Sequence, residues 1–147
     1  MNARGFTLVE LMISLAIMSI IATLAVTSYE RYVRRAGRVD ATSALLRIAS
    51  AQEKFYAQNG QYADDLAAAP PDGLGIEGTE RGYYELDVAI SPDGAGIGYT
   101  ASATVDEAGS QASDTGCQVF SINERGIRGA EDDGGATSQE IIDRCWR

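Results

Sequence analysis

Glu10 is the first residue whose chemistry needs an explanation. It is the only charge in the apolar run from Phe6 to Val26. A carboxylate at the centre of a membrane-spanning helix costs about 2.5–3.5 kcal/mol, and less toward an end. Acids in such positions usually have a partner, yet no basic residue lies within one turn of Glu10 in the run. If the chain were cut between Gly5 and Phe6, a new positive amine would arise on Phe6. That amine would lie four residues before Glu10 on the same helical face. It could pair with Glu10 of its own chain or of a neighbour. The alternative is an acid at the membrane interface, reaching out to the headgroups.

The remaining reactive side chains point away from catalysis. There is no His, which removes the commonest general base and metal ligand. No pair of carboxylates is spaced on a recognisable catalytic scaffold, so no catalytic residue and no enzyme activity are expected. Asp64-Asp65 and Glu131-Asp132-Asp133-Gly134 offer oxygens to calcium, but not at EF-hand spacing; they read better as solvated loops, with no metal and no cofactor. Cys117 and Cys145 make an even count without a CxxC pair, which suits an oxidising compartment if the chain is exported. Joined, they would close a loop of 29 residues and add about 3–4 kcal/mol. Two free thiols are the alternative.

The elements around these residues follow from pattern. The 21 residues Phe6–Val26 match, as a helix, roughly 30 Å of hydrocarbon. The run is long for a secretory signal and has only Arg4 before it, favouring a retained helix over a cleaved one. Charge leaves orientation open. Arg31, Arg34, Arg35 and Arg38 would put the following segment in the cytoplasm, whereas the cysteines favour the other side.

Helical spacing continues from Ser28 to Ala57 through Tyr32, Ala36, Val39, Leu45 or Leu46, Ile48, Ala49, Phe55 and Tyr56, interrupted only by Gly37. Asn59-Gly60 is a stop signal. Residues 61–81 read as a loop. Alternation over Tyr83–Ile90, Ile97–Val105 and Cys117–Asn123, with turns at 91–96 and 124–126, predicts an antiparallel meander of three to four strands. The fold class is α+β, one face of the sheet covering the helix stripe. From Ile48 onward six basic residues face 18 acidic ones, a net of −12, so the head should repel nucleic acid.

Gly5-Phe6-Thr7-Leu8-Val9-Glu10, followed by the apolar helix, resembles the leader junction of type IV pilins and type II secretion pseudopilins. Phe55 to Tyr62 resembles the end of the long helix in type IVa pilins. Cys117, Asn123-Glu124-Arg125-Gly126 and the ending Cys145-Trp146-Arg147 are most similar to PilE-type minor pilins.

The resemblance implies a leader, 1–5, removed after Gly5 by a prepilin peptidase, and N-methylation of Phe6. It implies a helix over 6–57 whose residues 6–26 span the membrane and then the filament core, with Phe6 and Glu10 pairing between subunits. It also implies a head over 58–147 bearing a Cys117–Cys145 disulfide loop. The leader would lie in the cytoplasm and the head in the periplasm, then on an extracellular pilus. Ser19 and Thr27 stand where the family often has Gly and Pro, so the helix should be straighter.

The expected function is that of a minor pilin, polymerising with other pilin subunits through the inner-membrane assembly machinery and supporting pilus assembly, twitching motility and adhesion. A secretion pseudopilin is the alternative within the class. A membrane-anchored ligand- or DNA-binding module is the alternative outside it, and no nucleic-acid partner is expected.

Overall fold

The computed structural model describes residues 6–91 and 98–147, with the side chain of Thr27 left aside. The leader and, apart from Ser91, the expected turn at 91–96 therefore lie outside the described residues. Helix α1 runs unbroken from Leu8 to Asn59. It passes Ser19 and Thr27 without a break, as expected of a helix lacking the Gly and Pro at those positions. Gly60 ends it. Its φ of 72° is costly for other residues, and its N–H donates to the Tyr56 carbonyl at 2.8 Å. Packing divides the chain after Arg34. The first unit is a helix whose apolar residues are exposed all round, long and apolar enough to cross a membrane.

The second unit has a four-stranded antiparallel sheet in chain order: β1 (Tyr84–Ile90), β2 (Tyr99–Val105), β3 (Val119–Asn123) and β4 (Arg128–Glu131). Its register aligns Leu86, Ala103, Phe120 and Ala130 in one row on the core face. Ala41, Leu45 and Ile48 of α1 join Tyr84, Tyr99, Ala101, Ala103, Val105, Phe120 and Ile122 in one core. Alanines at the centre of that face, Ala101 and Ala103, leave room for the helix to lie close and for Phe120 and Leu45 to fill the layer.

Two expectations are corrected here. The buried stripe of α1 is Asp40, Ala41, Ala44, Leu45, Ile48 and Gln52, whereas Val39 is 59% exposed and Tyr32 and Leu46 also face outward. Hydropathy favoured the larger side chains. The structure instead buries small residues, and polar ones that have backbone partners. The segment after Asn123 is not simply a loop: it holds β4 and a short helix, α2 (Gln139–Cys145), capped by Ser138, whose Oγ accepts from Ile141 N–H at 3.2 Å.

Candidate assembly site and head clefts

Glu10 closes a capping box at the start of α1. The N–H and hydroxyl of Thr7 both donate to Glu10 Oε2 at 3.0 Å, and Glu10 N–H donates to Thr7 Oγ1 at 3.2 Å. The Thr-x-x-Glu signature stands in the sequence as Thr7-Leu8-Val9-Glu10 and supplies a neutral partner where a charged one was expected. The carboxylate thus has neutral donors within its own chain. Phe6, beside it, is fully exposed and available to a neighbour. Gly5 lies outside the described residues.

The other polar groups of the apolar stretch are also turned inward. Ser14 donates to the Glu10 carbonyl at 2.8 Å and Ser19 to that of Leu15 at 2.7 Å; Thr23 donates to that of Ile20 at 2.8 Å. Each hydroxyl is satisfied by the preceding turn, so this surface can meet lipid tails or other helices without an unpaired donor.

Buried polar contacts fix the head to its part of α1. Arg38 donates through Nε and Nη2 to both oxygens of Asp114, at 2.6 and 2.9 Å, and through Nη1 to the Arg144 carbonyl at 3.1 Å. Arg144 in turn donates to the Gly116 carbonyl at 3.0 Å. Asp40 accepts from the backbone N–H groups of Arg81 and Tyr83, where the chain enters β1. The Gln52 carboxamide takes both backbone groups of Ala63, at 2.7 and 2.9 Å, in the manner of a neighbouring strand. Arg38, counted above with the other neck arginines as a charge flanking the span, instead finds its acid within its own chain.

Cys117 and Cys145 are joined, with Cα atoms 5.8 Å apart. Beside the bridge, Trp146 packs edge-on to Phe120, donates from Nε1 to the Gly129 carbonyl at 2.9 Å, and carries the Arg128 guanidinium 4.9 Å above its ring. Arg128 and Trp146, with Ile127, Gln139, Asp143 and Arg147, line an open cleft of about 460 Å³. Asp65 and Asp132, weighed as calcium ligands, use Oδ1 to cap turns, at Ala67 and Ala68 and at Gly134 and Ala136 respectively. Among the described residues no cluster of three His, Cys, Asp or Glu side chains could hold a metal ion.

An apolar helix with its capped acid, continuing into a helix clasped by an antiparallel sheet and a disulfide-closed C-terminal segment, defines a type IV pilin. The chain belongs to the family described as "Type IV minor pilin ComP, DNA uptake sequence receptor", whose model matches residues 27–121. A prokaryotic N-terminal methylation motif matches residues 1–26.

Similar curated proteins include the fimbrial protein EcpC of Eikenella corrodens, 35% identical over 72% of this chain and 65% of that one. The type IV major pilin PilE of Neisseria gonorrhoeae is 32% identical over 59% and 50%. The type IV major pilin PilA of Myxococcus xanthus is 34% identical over 48% and 33%. The chain thus spans between a third and just under two thirds of the length of these relatives. A type IV pilin structure from Shewanella oneidensis is similar at 25% identity over 65% of this chain and 89% of that one, with a TM-score of 0.45. The family match ends at residue 121, before β4, α2 and the Trp146 cleft. Its description bears against the expectation of no nucleic-acid partner, which rested on net charge alone.

Proposed function

We propose that this chain is a minor subunit of a type IV pilus. In this reading the leader is removed between Gly5 and Phe6 by a prepilin peptidase, and the new amine of Phe6 is N-methylated. The subunit waits in the inner membrane as a single span over residues 6–26 with its head, residues 58–147, in the periplasm. The assembly machinery then moves it into an extracellular filament, where the Phe6 amine pairs with Glu10 of a neighbouring subunit. Pilus assembly, twitching motility and adhesion are the activities such a subunit serves.

The observation that carries this reading is one chain with a methylation motif over residues 1–26 and Glu10 four residues after Phe6, ahead of a pilin-family head. Pairing between subunits would add a charged partner to a carboxylate that already holds Thr7, and the exposure of Phe6 supports this reading. The test is Glu10→Ala in cells, followed by shearing. The variant should insert in the membrane as well as wild type and be depleted from sheared filaments. Normal incorporation contradicts the pairing role. A secretion defect with intact twitching after deletion would favour the pseudopilin alternative.

A second reading has its own support. The family description names a DNA uptake receptor, and the Trp146 cleft holds Arg128 over an aromatic ring, with Arg147 and Asp143 also on its lining. Guanidinium groups next to a stacking ring suit a phosphodiester chain. DNA binding by the mature full-length chain in detergent should weaken with Arg128→Ala and fall with added salt. Binding unaffected by either change removes this reading.

A further inference from the structure

The stretch of α1 just after the apolar run joins aromatic and cationic residues in one narrow band. Tyr29 and Tyr32 are 68% and 71% exposed, Arg31 is exposed and Arg34 half-buried. In sequence the band continues to Arg35, giving three arginines against the single acid Glu30. At 1.5 Å per residue, seven helical residues cover roughly 10 Å, enough to reach through the ~5–7 Å headgroup layer of one leaflet. Tyrosines with an apolar ring and a polar tip favour that layer. Arg38, the next arginine, does not belong to the band, because its side chain is only 13% exposed.

We propose that Tyr29–Arg35 is a collar that binds anionic phospholipid headgroups and fixes the depth of the unassembled subunit. This rests on the reading that residues 6–26 span the bilayer. If the head is exported, these arginines stand on the side that positive charge normally disfavours. Anionic lipid in the facing leaflet compensates them, and the guanidinium fork suits a phosphate held by two donors. Phospholipid is favoured over a protein partner because the band is continuous with the segment that enters lipid. Entry into a filament would then exchange lipid phosphate for acidic groups of neighbouring subunits.

The experiment uses the full-length mature chain in nanodiscs of phosphatidylcholine alone and of an equal mixture with phosphatidylglycerol. Lipids that stay with the protein are counted by native mass spectrometry. Phosphatidylglycerol should be retained several-fold over its share, up to about fivefold for each arginine. Arg31→Gln/Arg34→Gln/Arg35→Gln should abolish the preference and Glu30→Gln should strengthen it, whereas Arg125→Gln/Arg128→Gln/Arg147→Gln should leave it unchanged. Inorganic phosphate at equal concentration should not displace the lipid. Equal retention of both lipids, or a preference that survives the neck variant, overturns the collar. A chain that fails to enter either nanodisc overturns the spanning reading, and the collar with it.

Discussion

The carboxamide of Gln111 occupies the space in which a β-carbon on residue 37 would stand. Such an atom at Gly37 would lie 1.6 Å from Gln111 Nε2 and 2.3 Å from its Cδ. Gly37 is therefore the seat for the β2–β3 loop on α1. Gln111 is buried there, and its Oε1 lacks a hydrogen-bond partner among the described residues. Replacing Gly by Ala inside a helix ordinarily gains about 1 kcal/mol. Here overpacking costs about 1–3 kcal/mol, so Gly37→Ala should destabilise. In a Gln111→Ala background the same substitution should stabilise. Urea unfolding of the four proteins measures the coupling, and an identical effect of Gly37→Ala in both backgrounds would remove this account of the glycine.

Arg38 and Asp114 form a pair that is nearly withdrawn from water. Removing one partner of such a pair leaves a buried charge and costs about 3–5 kcal/mol. Asp114→Ala should therefore be severe, and Arg38→Met/Asp114→Leu milder than Asp114→Ala alone. If the double variant is the worse of the two, the pair supplies more than mutual neutralisation.

The disulfide holds β4, α2 and the lone tryptophan in place. Cys117→Ser/Cys145→Ser should lower stability by about 2–5 kcal/mol. Trp146 fluorescence should report it, because the ring loses its contacts with Phe120, Arg128 and the Gly129 carbonyl as the end frays. An unchanged emission maximum would mean that packing alone retains the C-terminal segment.

Alkaline pH should loosen the head. Burial pushes Tyr99 up to about 12, and burial together with the Glu53 carboxylate that accepts its hydroxyl pushes Tyr62 to about 12. Burial raises Tyr84 as well. The folded state thus holds these protons more tightly than the unfolded chain, whose tyrosines ionise near pH 10. Their contribution is complete below about pH 10 and is lost as pH rises toward about 12. Tyrosinate absorbance should show three of the seven tyrosines ionising late in the folded protein. Tyr84 differs in one respect: its hydroxyl is buried without a partner among the described residues, while its ring packs edge-on to Phe120. Tyr84→Phe should therefore be neutral or stabilising.

Much of the fold was legible because its signals are local. The long apolar run, the Asn59-Gly60 stop and three alternating segments each announce an element within a few residues. β4 was hidden because Arg128-Gly129-Ala130-Glu131 alternates only weakly, and its one deep residue, Ala130, looks unremarkable until Phe120 stands opposite it. α2 was hidden by its shortness. The role of Arg38 could not be read at all, since its acid lies 76 residues away in a loop. The cation-bearing cleft beside Trp146 depends on a fold that brings Arg128 over the ring, which no spacing reveals. Glu10 was the reverse case: its site was marked by sequence, and its neutral partner Thr7 was equally readable three residues before it.

The central claim, that this chain is processed at Gly5–Phe6 and assembled as a pilin, is tested most directly by the intact mass of the protein in sheared filaments, with N-terminal sequencing. The account predicts a chain that begins at N-methylated Phe6 and carries the Cys117–Cys145 bond. A chain that begins at Met1, or near Val26, would contradict it.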